Sequence, residues 1–338
     1  MVDGPTIATP LTAMPVAGRA WHERWAMTQP FVIAGHRYDD ADVVVVELRA
    51  GDAIGRGEAS PTSYYGETVD SVLAQLDRML ATLATDPWDR LHDTLPPGAA
   101  RNAIDCAMWD LRAKIAGRPV WELAGLPRWQ SVRTAFTIGI DTPAGMADRA
   151  RACGHEVIKL KLGEGDDVAC VEAVRAALPG AVIAVDANQA WDAAQLAEFM
   201  PHLARLGVVM IEQPLPRHAD AALAAMARPV PVCADESCHV AADVAGLRDR
   251  YDMVNVKLDK TGGLTEAIRL VGRAREQGMG LMIGCMEATS LAIAPALLLA
   301  PQCAIVDLDG PLLIGHDRPH GLAYASGRVH PPSPALWG

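Results

Sequence analysis

The chain has 338 residues, half of them apolar, enough to bury a sizeable core in one large α/β domain or two smaller ones. A formal net charge of −11 and a pI near 5.3 supply no basic field for phosphate backbones or anionic lipid, so nucleic-acid and membrane-surface roles drop out. The seven cysteines are odd in number and scattered, with no CxxC pair and no histidine cluster beside them, and read as reduced core thiols.

The opening segment MVDGPTIATPLTAMP joins no basic stretch to an apolar run, and no window is long enough to span a bilayer, so a cytoplasmic location is expected. Residues 21–58 are strand-like, and VVVVELRAGDAIGRGEA reads as a β-hairpin turning at residues 50–53. Helical periodicity covers residues 71–83 and again 100–115, where Ile104, Met108, Leu111 and Ile115 share one face ahead of the breaker Gly117-Arg118-Pro119. Residues 1–125 are therefore predicted to form a small α+β domain.

The texture then changes. TAFTIGI, VIKLKLG, AVIAVDAN, VVMIEQP, PVCADES, MVNVKLDK, GLMIGCM and AIVDLDG are short β-branched runs separated by Ala-rich helical segments, which predicts a parallel (β/α) barrel over residues 126–315. Lys161, Asp186, Glu212, Asp235, Lys257, Gly284 and Asp307 recur at intervals of roughly 25 residues, one βα unit each, so each is expected at the end of its own strand. The polar segment 316–338 is left free to pack back on the first domain.

Strand carboxyl ends form the active face of such barrels, and there Asp186, Glu212 and Asp235 come from three consecutive strands. Three close carboxylates repel unless a cation or protons neutralise them. An all-oxygen set with no His or Cys fits octahedral Mg²⁺, with Mn²⁺ as the substitute. A rim ion pair would explain any one of these acids, but not three at matching strand ends. In VIKLKLG the alternation sets Lys159 and Lys161 on one face, just before the acids, and Lys257 follows them, so lysines flank the acids from opposite sides of the mouth. A lysine buried beside a divalent cation has its charged form disfavoured and is expected to act as a base near neutral pH.

The order KxK, DAN, EQP, ADES, VKxDKxGG resembles the muconate-lactonizing subgroup of the enolase superfamily over nearly the whole chain. That resemblance implies a modified TIM-type (β/α) barrel under an N-terminal α+β capping domain. It also implies a substrate carboxylate on Mg²⁺, removal of the α-proton, and an enediolate stabilised by the metal. By the same resemblance Asp186, Glu212 and Asp235 are the metal ligands and Lys161 and Lys257 the acid/base pair. Lys159 supports the substrate carboxylate, with Asn188 and Glu236 behind the ligands. Two bases on opposite faces favour a racemase or epimerase.

In IVDLDGP, Asp307 and Asp309 share a face toward the mouth and add negative charge, which suits a substrate that also carries a cation. A DxD here resembles the dipeptide epimerases of the superfamily, in particular the L-Ala-D/L-Glu epimerases, in which the pair binds the α-ammonium group. The resemblance further implies that a mobile loop of the capping domain, here TQPFVIAGHRYDD, covers the site, with Arg37 as the candidate for a substrate glutamate. Tyr64 and Tyr65 of a second loop are placed to close over the dipeptide or to pack on the barrel. The expected enzyme is thus a Mg²⁺-dependent dipeptide epimerase in recycling of cell-wall peptides, and assembly as a homo-oligomer is expected because family barrels often assemble. N-acylamino-acid racemase, o-succinylbenzoate synthase and muconate cycloisomerase are the alternatives, and their substrates carry no ammonium group.

Overall fold

A computed structural model describes residues 15–82 and 88–338 of the chain. The opening segment read for a leader therefore lies outside the described residues, except for Pro15.

A three-stranded antiparallel sheet, Ala17–Ile33, His36–Ala50 and Ala53–Ala59, forms the first domain. The predicted turn is present between Ala50 and Ala53, which pair across it. Val43, Val44, Val45 and Val46 are all buried because both faces of this sheet are covered. One face carries Gly55, Gly57 and Ala59 and receives the helix Ala99–Ala116. A Cβ on Gly57 would lie 2.1 Å from Ala103 O, so only glycine admits the helix there. The opposite face carries Glu58, which bonds to Thr289 and Arg318 from the far end of the chain. The helix predicted over 71–83 runs Val69–Leu80 instead, since Thr68 and Ser71 close a capping box two residues earlier.

Two expectations change. The segment TQPFVIAGHRYDD, a loop by the resemblance but part of the strand-like stretch 21–58, is antiparallel strand with a register shift between Ala26 and Phe31, and its only turn is Ala34-Gly35. Gly35 takes a φ of 69°, which the tight reversal requires. The Ala-rich connections after the fourth and fifth barrel strands contain 3₁₀ turns, Asp220–Ala225 and Asp243–Gly246, where α-helix was predicted.

The barrel strands are Phe136–Ile138, Val157–Lys161, Val182–Asp186, Val208–Glu212, Val232–Ala234, Met253–Val256, Gly280–Gly284 and Ile305–Asp307. They pair in sequence order as one parallel sheet, and Ala135 N donating to Val306 O at 2.8 Å brings its two edges together. Period-2 alternation sends Ile158 and Leu160 outward to the helices and Lys159 and Lys161 inward. The interior is filled by small and soft residues: Ala184, Met210, Cys233, Met253 and Met282. Segment 316–338 returns to the first domain, where Trp337 Nε1 donates to Cys106 O at 3.0 Å and Gly338 N to Asp110 Oδ1 at 2.8 Å. Among the described residues no helix is long and apolar enough to cross a membrane.

Candidate active site

Each predicted landmark ends its strand or follows it by one residue, so the charged side chains gather at the carboxyl mouth of the barrel. Asp186, Glu212, Asp235, Lys159, Lys161, Lys257, Asp307 and Asp309 are all buried. Lys159 Nζ is the hub, 2.7 Å from Glu212 Oε2, 2.8 Å from Asp307 Oδ2 and 3.2 Å from Asp186 Oδ2. Lys161 Nζ donates to Asp186 Oδ2 at 2.7 Å and to Asn188 Oδ1 at 3.0 Å, while Lys257 Nζ donates to Asp235 Oδ2 at 2.8 Å. Lys161 ends the second barrel strand and Lys257 follows the sixth, half a turn apart in a ring of eight. Gly284 keeps this packing possible, since a Cβ there would lie 2.8 Å from the Asn255 amide and 3.1 Å from Lys257 Cε.

Burial and mutual repulsion set the electrostatics. Glu212 is pushed up by burial and by Asp186, more than Lys159 pulls it down. Burial also opposes the charge on Asp186 and Asp235, but Lys161 and Lys159 hold Asp186 low, and Lys257 and Lys260 hold Asp235 low. Lys159 and Lys257 differ from expectation. Burial disfavours their charge, yet Asp307, Glu212 and Asp186 raise Lys159, and Asp235 and Glu212 raise Lys257. In this arrangement the lysine ammoniums neutralise the acids, and a base near neutral pH requires another cation to take over that task.

The donor set fits a hard cation. Glu212 Oε2, Asp235 Oδ1 and Glu236 Oε2 are buried oxygens without a hydrogen bond. The first two lie within ion-pair distance of Lys159 and Lys260 but outside hydrogen-bonding geometry. Among the described residues no three acids yet close on one point, because the lysines reach in between them. Oxygen donors with unused lone pairs and no nitrogen or sulfur suit Mg²⁺.

Three supporting groups were not read from the sequence. Gln213, of the EQP motif, accepts from Asp235 N at 2.9 Å and Ser237 N at 3.1 Å, and donates to Tyr251 Oη at 2.8 Å, which holds Asp235 by its backbone. Its φ of 30° and the 42° of Asn188 put left-handed residues directly after Glu212 and near Asp186. Asn255 Nδ2 donates to Glu212 Oε1 at 2.6 Å. Lys260 lies 2.6 Å from Asp235 Oδ1 and donates to the carbonyls of Cys238 and Asn255. EQP and the second lysine of VKLDK signalled the last residue and Gln213; nothing in the local pattern marks Asn255.

The walls come from the first domain and the last barrel loops. Phe31, Ile33, Tyr38, Thr62, Tyr64 and Tyr65 face Met286, Glu287 and Leu313 across a cavity of about 110 Å³. It is tighter than the few hundred cubic ångströms usual for a ligand pocket, because the hairpin is docked: Ile140 N donates to Val32 O at 2.8 Å, and Gly139 has no Cβ to meet that backbone. Arg37 is not brought to the cavity; its exposed guanidinium pairs with Asp39 at 2.9 Å, while its neighbour Tyr38 lines the wall. Asp307 and Asp309 do reach the cavity.

The Mandelate racemase / muconate lactonizing enzyme N-terminal domain matches residues 17–125, and the Enolase C-terminal domain-like family matches 144–333. An L-Ala-D/L-Glu epimerase of Escherichia coli K12 is 44% identical over 92% of this chain and 98% of its own length. A crystal structure of an Agrobacterium tumefaciens enolase family member with homology to dipeptide epimerases, with bound sodium and L-Ala-L-Glu, superposes with a TM-score of 0.91 at 44% identity, over 96% of this chain and 100% of that one. A dipeptide epimerase from Methylococcus capsulatus, complexed with Mg and L-Arg-D-Lys, gives a TM-score of 0.89 at 32% identity, over 96% of this chain and 99% of that one.

Proposed function

The chain belongs to the mandelate racemase / muconate lactonizing enzyme family of the enolase superfamily, and from that premise we propose that it is a dipeptide epimerase, an isomerase that inverts the α-carbon of the C-terminal residue of L-Ala-L-Glu or its D-Glu epimer. One observation carries the reading: two buried lysines on opposite strands of the ring, Lys161 and Lys257, flank one set of buried acids. Binding alone needs no opposed bases, and a lyase needs one.

In this reading Asp186, Glu212 and Asp235 hold Mg²⁺, with Mn²⁺ as a substitute, and the ion supplies Lewis-acid stabilisation of charge on the substrate carboxylate. With the cation held there, Lys161 and Lys257 would no longer be needed to neutralise the acids and would be free to exchange protons with the substrate. One lysine takes the α-proton from its face; the other delivers a proton to the opposite face, and the configuration inverts. Lys159 balances the charge of the acids, Asn188 orients Lys161, and Glu236 stands behind Asp235. Asp309 faces the substrate's ammonium group. Phe31, Ile33 and Tyr38 close over the side chain, with the Tyr38 hydroxyl as a polar contact for a glutamate.

Cell-wall peptides are a source of L-Ala-D-Glu units, so the reading extends to their recycling in the cytoplasm by an enzyme assembled as a homo-oligomer; light scattering of the purified protein tests the assembly. The activity is tested by incubating L,L-dipeptides in D₂O and reading α-deuteration by mass spectrometry. L-Ala-L-Glu is expected among the exchanged dipeptides, with exchange lost in EDTA and restored by Mg²⁺. Full turnover in the chelated protein, or exchange of N-acylated amino acids alone, would overturn it.

A further inference from the structure

Of the two acids that the sequence offers for a substrate ammonium group, Asp307 already holds two donors in the structure. Asp307 Oδ2 takes Lys159 Nζ at 2.8 Å and its Oδ1 takes Thr137 Oγ1 at 3.0 Å, so both oxygens already have donors. Asp309 Oδ2 accepts from Thr137 N at 2.6 Å. Across the same cavity stands a third acid, Glu287, three residues beyond the strand Gly280–Gly284. Its backbone is pinned under the first domain by Ser60 Oγ, which donates to Glu287 O at 3.2 Å.

Among the described residues the Glu287 carboxylate makes no hydrogen bond or ion pair, whereas each lysine lining the cavity already has an acid: Lys159 with Asp307, Lys161 with Asp186, Lys257 and Lys260 with Asp235. Glu236 also has an unpartnered oxygen, but it adjoins Asp235 and belongs with the cation site. Glu287 instead shares the cavity wall with Tyr38 and Cys285. Glu287 thus presents an unpaired carboxylate on the wall it shares with Phe31 and Ile33, where an incoming cation can pair with it.

We infer that Glu287 is a specificity-determining residue that, with Asp309, receives an ammonium group of the substrate. The inference rests on the dipeptide reading and deepens it, since it makes a positive charge on the substrate a requirement of this wall of the cavity.

Glu287→Gln keeps size and removes the charge. The variant is expected to raise KM for L-Ala-L-Glu about tenfold, the scale of a lost charge-assisted hydrogen bond, and Glu287→Asp to recover part of it. The inhibition constant of N-acetyl-L-Ala-L-Glu, which lacks the ammonium, should move less than about twofold, within the range of a surface charge change. A loss shared by L-Ala-L-Glu and L-Ala-L-Lys assigns the α-ammonium; a loss confined to L-Ala-L-Lys assigns the side-chain ammonium. An unchanged KM for all these dipeptides, or an equal loss for the acetylated compound, overturns the role of Glu287 and leaves the epimerase reading standing. A wild-type protein that exchanges no dipeptide α-proton sinks that reading itself.

Discussion

The barrel mouth and the joint between the two domains both bury charge, and they resolve it in opposite ways. At the joint the buried acids Glu58 and Asp105 are closed by fixed donors from across it. Glu58 accepts from Thr289 N at 2.8 Å and Arg318 Nε at 2.8 Å, and Asp105 from Thr265 N at 3.0 Å and Thr265 Oγ1 at 2.6 Å. At the mouth one lysine serves three acids, and Glu212, Asp235 and Glu236 keep oxygens without hydrogen bonds. Fixed donors lock a geometry; shared ammoniums and spare lone pairs leave groups free to exchange partners when a cation and substrate enter. The joint is built for rigidity and the mouth for rearrangement.

The sharpest way to break this contrast is to neutralise one acid at the mouth. Glu212→Gln is expected to lower the α-deuteration rate by about a thousandfold or more, the scale of a bound metal's charge stabilisation, and to weaken Mg²⁺ binding in calorimetry. Its Tm should hold or rise, because Glu212 is held against burial and the charge of Asp186. A Tm loss as large as that of a joint variant would erase the distinction. Arg318→Met is that joint variant. It strips the cation from Glu58 and from Glu23, 2.6 Å from Arg318 Nη2 in each case, and should cost about 3 kcal/mol in denaturant unfolding.

A smaller effect concerns pH. Burial raises Asp105 from 3.8 to about 6, and raises Asp259 from 3.8 to about 7 against the hydrogen bonds from Ser60 N and Asn102 Nδ2, both on Oδ1. A folded acid with a raised pKa holds a proton that the unfolded chain releases, so its contribution is full below pH 3.8 and lost as pH rises toward 7. Asp259→Asn keeps an oxygen for both donors and removes the titration. Its Tm relative to wild type should climb from pH 4 to pH 7 across the interval between 3.8 and about 7; a constant difference contradicts the assignment. The smallest effect is assigned to Arg37→Ala. An exposed pair with Asp39 is worth about 0–1 kcal/mol, so KM for L-Ala-L-Glu should change less than about twofold; a tenfold rise would return Arg37 to the substrate.

The contrast also explains what the sequence made legible. Strand ends repeat at one βα period, so the three acids, the lysines and the DxD were readable from spacing and alternation alone. Groups that act through a backbone or across the barrel left weaker marks. Asn255 points inward from mid-strand with no motif of its own, and Thr137 meets Asp307 and Asp309 only because the first and last strands close the ring. The segment around Arg37 was legible as strand within residues 21–58, but which of its residues meets the cavity was not, and its pairing in the hairpin turns Arg37 to solvent and Tyr38 to the cavity. The joint was hidden for the same reason, since Glu58 and Arg318 lie at opposite ends of the chain.

The central claim is that inversion needs a proton donor and acceptor on each face. Lys161→Ala and Lys257→Ala are therefore to be followed by NMR in D₂O with L-Ala-L-Glu and L-Ala-D-Glu as separate substrates. Both variants should lose epimerisation, yet each should still wash deuterium into the α-position of one epimer, and the two variants should select opposite epimers. Wild-type epimerisation in either variant, or exchange with the same epimer in both, would contradict the two-lysine account.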